Sequence, residues 1–217
     1  MRSGRFITFE GGEGVGKSTQ VRLLAEALRR AGIAVLTTRE PGGSTGAEEI
    51  RQLLLTGAAE RWDAESEALL MIAARRSHLV ATILPALAEG RTVLCDRFAD
   101  STEAYQGWGR GLPRDRLQEL HRFIAGDFAP DLTLILDLPV ETGLARAARR
   151  PGAEKRFERL DAAFHQRVRQ GFLDIARREP KRCVVIDAGG TIAATQSAVA
   201  AAVAERLGIA IAGDGKR

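Results

Sequence analysis

The sequence predicts an α/β protein in which a doubly wound, five-stranded parallel sheet is flanked by helices on both faces. Apolar runs of strand length alternate with longer runs of helical period five times along the chain, as in successive βα units. The short runs are almost continuously apolar, as strands are when helices cover both of their faces. No linker or shift in composition interrupts this alternation, so residues 1–217 are expected to form a single domain.

The predicted strands are short runs rich in β-branched and other apolar residues. The first ends at a glycine cluster, and the fourth is stopped by Pro139, which cannot donate a hydrogen bond to a sheet. In chain order, the strands are expected at Arg5–Glu10, Ala34–Thr38, Thr92–Cys95, Leu132–Leu138 and Cys183–Asp187.

The predicted helices are runs in which apolar residues recur every three or four positions. The run that begins at Glu154 is the most highly charged of them. In chain order, the helices are expected at Gln20–Arg30, Ala47–Leu55, Glu65–Ala88, Leu117–Ile124, Glu154–Arg178 and Ile192–Leu207.

The composition excludes disordered, collagen-like and low-complexity proteins, because 45% of the 217 residues are hydrophobic. No uninterrupted apolar run approaches the roughly 18 residues of a membrane span. The N-terminus carries no apolar segment with a cleavage site. We therefore expect a cytoplasmic protein without a membrane partner. Cys95 and Cys183 lie singly in apolar runs, which predicts two buried free thiols.

A glycine-rich segment after the first strand matches the pattern G-x-x-x-x-G-K-[ST], and a helix is predicted directly after it. Its glycines let successive backbone N–H groups turn toward phosphate oxygens, and the helix N-terminus adds its dipole. Lys17 is expected to reach the β- and γ-phosphates, and Ser18 to bind Mg²⁺. The residues expected to hold a nucleoside triphosphate are Gly11, Gly12, Glu13, Gly14, Val15, Gly16, Lys17, Ser18 and Thr19.

Three classes of protein share such a loop: small-molecule kinases, GTPase switches, and ATPases that act on nucleic acid. A GTPase usually reads guanine with an Asn-Lys-x-Asp motif, and this chain contains no asparagine. The third predicted strand ends in Asp96 and Arg97. Ligands of a doubly wound sheet gather at the carboxyl ends of its strands. Asp96 is therefore expected to hold Mg²⁺ or its water, and Arg97 to face a phosphate.

The charge is unevenly distributed. The chain has 32 basic and 28 acidic residues, and 28 of the basic ones are arginine. Such an excess of arginine fits either nucleic acid or a small nucleotide. Residues 146–182 contain 12 basic and 5 acidic side chains, a local net of +7, which leaves −3 for the remainder of the +4 total. This concentration favours a local positive field over a triphosphate site, without nucleic acid as a partner.

Four segments resemble the thymidylate kinase family: FEGGEGVGKST, TREPGG at 38–43, LLMIAARR at 69–76 and DRFADSTEAYQGWGRG at 96–111. They occur in the family's order and at similar spacing. The resemblance implies a dTMP kinase that converts ATP and dTMP to ADP and dTDP, and it implies a homodimer. A kinase for another deoxynucleoside monophosphate and a nucleic-acid-stimulated ATPase stay open as alternatives.

The resemblance also implies roles for residues around dTMP. Glu13 would address the deoxyribose 3′-OH, Arg97 the phosphate and Arg76 the thymine O4. Ile72 would occupy the position where the family usually stacks a phenylalanine on thymine. The remaining residues implied to line this pocket are Glu40, Pro41, Ser101, Tyr105, which would pack beside C2′ of the sugar, and Gln106, which would read a polar edge of the base.

The resemblance finally implies a mobile lid over ATP at about residues 149–160. Some thymidylate kinases carry an arginine inside the phosphate loop, but this chain has Gly14 there. In the similar subgroup the lid supplies the catalytic arginine instead. Arg156 is the first candidate for that role and Arg150 the second.

Overall fold

A computed structural model of the chain describes residues 4–58, 60–149 and 156–210. Its sheet has five strands in the order β2-β3-β1-β4-β5, and all neighbouring strands run parallel. This architecture confirms the predicted fold class. The strands are β1 Phe6–Glu10, β2 Val35–Arg39, β3 Thr92–Asp96, β4 Leu132–Asp137 and β5 Cys183–Asp187.

The helices lie on both faces of this sheet. Two π-helical turns, at Leu79–Ile83 and Glu103–Gly109, continue neighbouring helices, and a 3₁₀ turn spans Phe157–Arg159. The α-helices are α1 Lys17–Arg30, α2 Thr45–Leu55, α3 Ala64–His78, α4 Leu84–Ala88, α5 Ala99–Thr102, α6 Arg114–Ala125, α7 Val140–Ala148, α8 Ala162–Arg178 and α9 Ile192–Leu207.

The packing of the core explains where the site lies. Apolar residues of α1 and α9 cover one face of the sheet. Residues of α3, α4 and α6 pack beside β1 and β3 on the other face, and α8 packs with the π-helical turn at 103–109. Strand β1 lies between β3 and β4, so the order reverses there and opens a crevice at the carboxyl ends of the strands.

The largest departure from the prediction concerns the helix expected at Glu154–Arg178. Within the described residues, α8 begins only at Ala162, because the carboxylate of Asp161 accepts a 2.6 Å hydrogen bond from the N–H of Phe164 and caps the helix. The prediction of one continuous helix is therefore wrong over the 3₁₀ turn Phe157–Arg159. The short helix α5 with its π-helical turn, and α7, were not predicted.

Two expectations about apolar segments can be compared with the structure. Cys95 and Cys183 are free and buried, as predicted. Within the described residues, the helical run Ala64–Ala88 is long and apolar enough to cross a membrane by length and composition alone. Polar residues interrupt this run in the sequence, which is why the sequence did not indicate it. Since Ile72 and Leu79 in this run pack in the core beside the sheet, the run is weak evidence for a membrane span.

Candidate active site

The phosphate loop connects β1 to α1, as the motif predicted. Gly14 and Gly16 have φ values of 68° and 100°, in the left-handed region that side chains other than glycine rarely adopt. A Cβ on Gly14 would lie 1.9 Å from the carbonyl oxygen of Gly143. This contact explains in part why no arginine stands here.

The side chain of Lys17 folds back over this loop. Its Nζ donates hydrogen bonds to the carbonyl oxygens of Gly11 and Gly12, at 3.0 and 2.7 Å. Burial and the neighbouring positive charge of Arg97 lower the pKa of Lys17 to about 8. The amine is thus a desolvated charge at the position where a bound triphosphate would neutralise it.

Ser18 and Asp96 meet at the mouth of the loop. The hydroxyl of Ser18 donates a 2.5 Å hydrogen bond to Asp96 Oδ2. A hydroxyl and a carboxylate are oxygen donors of the kind that Mg²⁺ prefers, and a magnesium site needs few of them when phosphates and waters complete the shell. Among the described residues there is no group of three or more His, Cys, Asp or Glu side chains that could hold a metal by itself.

Arg97 follows β3 directly and has a φ of 73°. Its guanidinium donates to Gly11 O at 3.1 Å, to Ser101 Oγ at 3.2 Å, and to Glu13 Oε1 and Tyr105 Oη at 2.9 Å each. Burial alone would lower its pKa, but the surrounding oxygen groups raise it above its ordinary value. Arg97 is therefore a permanent cation held between the phosphate loop and the helix of the 96–111 motif.

Glu13 is the acidic partner of Arg97. Burial alone would raise the pKa of this carboxyl, but the charges of Arg97 and Lys17 and a 2.7 Å hydrogen bond from Tyr105 lower it to about 2. Glu13 thus stays ionised and lies on the wall of the cavity. Its expected role beside the deoxyribose stays a prediction.

Glu10 is a residue of this site that the sequence did not indicate. Its carboxylate is fully buried and accepts hydrogen bonds from Phe98 N at 2.7 Å and from Ser101 Oγ at 2.5 Å. Burial and the nearby Asp100 raise its pKa to about 7. Glu10 therefore ties the end of β1 to the segment that carries Arg97. The sequence feature that could have indicated Glu10 as a site residue is its position at the end of the first strand, directly before the glycine loop.

The opposite end of the cavity is built around Arg75. This side chain donates to Glu40 Oε2 at 2.8 Å, to Phe98 O at 3.1 Å and to Thr102 Oγ1 at 2.8 Å. Its Nη1 is buried and has no hydrogen-bond partner among the residues that the structure describes. Glu40 Oε1 also lies 3.1 Å from His78 Nδ1. Burial alone would raise the pKa of Glu40, but Arg75 and His78 outweigh this effect and lower it.

Two predicted pocket residues on α3 lie elsewhere. Ile72 packs in the apolar core, and the exposed side chain of Arg76 donates to Ile124 O at 2.8 Å. The cavity is lined instead by Met71 and Arg75. The predicted placement of Ile72 and Arg76 in the pocket is therefore wrong by one residue, or 100° of helix rotation. The helical phase could have revealed this, since Ile72 continues the apolar stripe that buries α3.

Gln106 lies in the π-helical turn and lines the same end of the cavity. Its Nε2 donates a 2.9 Å hydrogen bond to Glu67 Oε1. Pro41, Ser101 and Tyr105 also line the cavity, as predicted.

Of the two predicted lid arginines, the structure describes Arg156, whose guanidinium binds groups of α2, α3 and the segment after α2. Arg156 is 1% exposed, and it donates to Glu67 Oε2 at 2.6 Å, to Leu54 O at 3.2 Å and to Ala58 O at 3.1 Å. Arg150 and half of the predicted lid, residues 150–155, lie outside the described residues. The lid boundary at 149–160 therefore stays a prediction.

One cavity of about 870 Å³ joins these parts. It runs from the phosphate loop and the segment after β5, at Ala188 and Gly190, to Arg75 and Gln106. This length allows two phosphorylated ligands to meet end to end. The lining residues that the sequence analysis did not single out for the site include Arg39, Arg51, Leu55, Met71, Arg75, Thr102, Arg146, Phe157, Glu158 and Thr195.

Comparisons with known proteins agree with this geometry. A family model described as thymidylate kinase matches residues 9–199. Thymidylate kinase of Caulobacter vibrioides is 57% identical over 209 residues, which cover 96% of this chain and 100% of that protein. Thymidylate kinase of Ruegeria pomeroyi is 58% identical over 185 residues, covering 85% of this chain and 87% of its own.

A crystal structure of thymidylate kinase from Ehrlichia chaffeensis superposes with a TM-score of 0.71 at 40% sequence identity, and the match covers 87% of this chain and 89% of that one. The family model and the two relatives span most of the chain, and the phosphate loop, Arg97 and Arg75 lie within the matched residues 9–199. The chain therefore belongs to the thymidylate kinase family.

Proposed function

We propose that this cavity is where the chain transfers the terminal phosphoryl group of ATP to dTMP. The chain is a phosphotransferase that phosphorylates dTMP, with ATP as its co-substrate. The observation that carries the proposal is that Arg97 lies on the wall of a single cavity, between the phosphate loop at one end and Arg75 at the other. This arrangement suits an in-line transfer between two anionic phosphates.

On the donor side, the backbone N–H groups of the phosphate loop and the Nζ of Lys17 would hold the triphosphate. Ser18 and Asp96 would hold Mg²⁺, which neutralises charge on the phosphate oxygens when it is bound. Lys17 already lies beside the carbonyl oxygens of Gly11 and Gly12. It therefore needs only to exchange these partners for phosphate oxygens.

On the acceptor side, Arg97 would bind and align the phosphate of dTMP. Glu13 and Tyr105 hold its guanidinium from one side and Ser101 from another. The same Glu13 would face the 3′-OH of the sugar, and Tyr105 would pack beside C2′. The acceptor phosphate is already ionised at neutral pH, so the transfer needs positioning and charge neutralisation without a general base.

At the base end, Arg75 replaces Arg76 as the proposed partner of thymine O4. Its Nη1 is a buried donor without a protein partner, next to the cavity, and such a donor is costly unless a ligand accepts from it. Met71 takes the place beside the base that the family resemblance assigned to Ile72, and Glu40 and Pro41 line the same cavity. Gln106 would read a second polar edge of the base.

The remaining assignments rest on the family resemblance. Arg156 and Arg150 remain the proposed lid arginines, and Arg156 would have to leave Glu67 to act on the phosphoryl group. We further propose a single-domain, cytoplasmic homodimer that binds neither nucleic acid nor membrane. The exposed apolar side chains of Leu69 and Phe123, on the adjacent helices α3 and α6, support a surface that a second copy would cover.

A coupled assay of ADP release over a panel of nucleoside monophosphates tests the function. We expect release that depends on dTMP and that Lys17→Met reduces by orders of magnitude. Release that depends on another monophosphate instead, or that DNA or RNA stimulates without any monophosphate, would contradict the proposal. A matched control is Lys181→Met, which removes the same charge from an exposed turn.

A further inference from the structure

Glu67 is a buried carboxylate that the proposed mechanism does not use. It lies in the first half of α3 and is 0% exposed. Its Oε2 accepts hydrogen bonds from Arg156 Nη1 at 2.6 Å and from Arg110 Nη2 at 3.3 Å. Its Oε1 accepts from Gln106 Nε2 at 2.9 Å.

This arrangement determines the orientation of the Gln106 amide. A carboxylate between two guanidinium groups has only acceptor atoms to offer. The NH₂ group of Gln106 must therefore face Glu67, since the reverse orientation would place two oxygens in contact. With Nε2 committed to Glu67, Oε1 is the atom that Gln106 has left for a ligand, and Gln106 lines the cavity.

We propose that Glu67 is a specificity-positioning residue, which holds Gln106 so that the pocket presents an acceptor beside the donor of Arg75. The inference rests on the proposed binding of a pyrimidine base at this end of the cavity. It adds a reason for the choice between pyrimidines. Arg156 and Arg110 donate to Oε2 of Glu67 and leave Oε1 to accept from Gln106.

The two polar groups form a pattern that matches one kind of base edge. Arg75 Nη1 is an unpartnered buried donor, and Gln106 Oε1 is an acceptor. Thymine and uracil present a carbonyl oxygen at C4 next to an N–H at N3, which complements this pair. Cytosine presents an amino donor at C4 next to an acceptor at N3, so both contacts would be repulsive. A site with buried polar groups rejects such a mismatch strongly.

The substitution Glu67→Gln tests this inference. Arg156 and Arg110 would still require an oxygen at the Oε2 position, so the new amide would turn its NH₂ toward Gln106. Gln106 would then have to turn its own oxygen inward and its NH₂ into the cavity. We expect the ratio of kcat/KM for dTMP to that for dCMP to fall at least about tenfold, while the ratio of dTMP to dUMP stays unchanged.

Arg110→Gln is the matched control. It removes one partner of Glu67 Oε2 but leaves the carboxylate itself, whose Oε1 still accepts from Gln106 Nε2 at 2.9 Å, so the dTMP-to-dCMP ratio should stay as in the wild type. Should Glu67→Gln fail to fold, the double substitution Glu67→Met/Arg156→Met removes the buried pair together, a change that proteins often tolerate. Because Arg156 is also a proposed lid arginine, this double variant should lose activity toward all monophosphates, and only its dTMP-to-dCMP ratio bears on Glu67. The variant also releases Gln106 and should lower that ratio.

The outcomes separate the two proposals. If the folded variant loses activity toward dTMP, dUMP and dCMP by the same factor, Glu67 has only a structural role and the inference is overturned. A dTMP-to-dCMP ratio within threefold of wild type overturns it as well. If instead the activity of the wild-type enzyme does not depend on dTMP, or Gln106→Met leaves the base selectivity unchanged, the proposed binding of the base is wrong. The inference about Glu67, which rests on that proposal, is then overturned with it.

Discussion

Replacing Arg97 by methionine would remove the cation that joins the phosphate loop to the acceptor pocket. Four hydrogen bonds would be lost, including those to Glu13 Oε1 and Tyr105 Oη at 2.9 Å. Methionine fills a similar length without a donor. We expect kcat/KM for dTMP to fall about 10³–10⁵-fold, the range known for arginines that neutralise a transferring phosphoryl group.

The same substitution, Arg97→Met, leaves Glu13 buried without its main counter-charge. Against burial, Arg97, Lys17 and Tyr105 lower the pKa of Glu13 from 4.5 to about 2. That difference corresponds to roughly 3 kcal/mol of unfolding free energy, with Arg97 as the largest favourable contributor. We expect the variant to lose about 2–3 kcal/mol at pH 7. Because the folded pKa is the lower one, this contribution is complete above about pH 4.5 and disappears as the pH falls through about 2.

Urea unfolding of both proteins at pH 7, 4.5 and 3, beside the ADP-release assay, measures both effects. Arg22→Met is the matched control, since Arg22 is exposed and its ion pair is with Glu26, one helical turn away. It should change stability by no more than about 0.5 kcal/mol and leave turnover unaltered. A stability difference for Arg97→Met that is the same at all three pH values, or a kcat/KM within tenfold of wild type, would refute the reasoning.

Three further predictions concern the cavity walls. Since burial and Arg97 lower the pKa of Lys17 to about 8, kcat/KM for ATP should fall as the pH rises through 8; a profile flat to pH 9.5 would contradict this. Arg75→Met should raise the Kd of dTMP about tenfold or more by calorimetry, whereas Arg76→Met should leave it within twofold. Met71→Phe should tighten dTMP binding by offering a ring to the base, whereas Ile72→Phe should lower the melting temperature by overpacking the core; equal effects of the two would show that the helix phase is misjudged.

The sequence predicted the fold well because its signals are local. Five short apolar runs fall in or beside the observed strands, and the glycine loop stands between β1 and α1 as the motif requires. The motif placed Lys17 and Ser18 at this loop. Asp96 was expected nearby because the carboxyl ends of adjacent parallel strands lie at the same edge of the sheet. These inferences needed only the order of the strands along the chain and their parallel direction, and the alternation of strand-like and helical runs predicts both.

The errors arose where the rotation of a helix about its axis, or a contact with a residue far away in sequence, determines the position of a side chain. A match that is off by one residue turns a helical side chain by 100°, and on α3 it exchanged Met71 and Arg75 for their neighbours. Glu10 and Glu67 were missed for another reason. Each acts through residues more than 38 positions away, such as Phe98 and Gln106, and no spacing in a single sequence shows such contacts.

The positively charged segment 146–182 also shows that a net charge counted along the sequence does not include ion pairs with residues outside the segment. The sequence predicted a positive field over the triphosphate from its net of +7. In the structure, several of its arginines are paired with carboxylates of distant elements, and the cavity is lined by Arg146 and not by those paired arginines. Each of these pairs brings a carboxylate from outside the segment, which lowers the local positive charge. In the proposed mechanism, the positive charge that acts on phosphate comes from Lys17 in the phosphate loop and from Arg97 after β3. The pairs are Arg156 with Glu67, Arg169 with Asp137, Arg178 with Glu103 and Arg182 with Asp100.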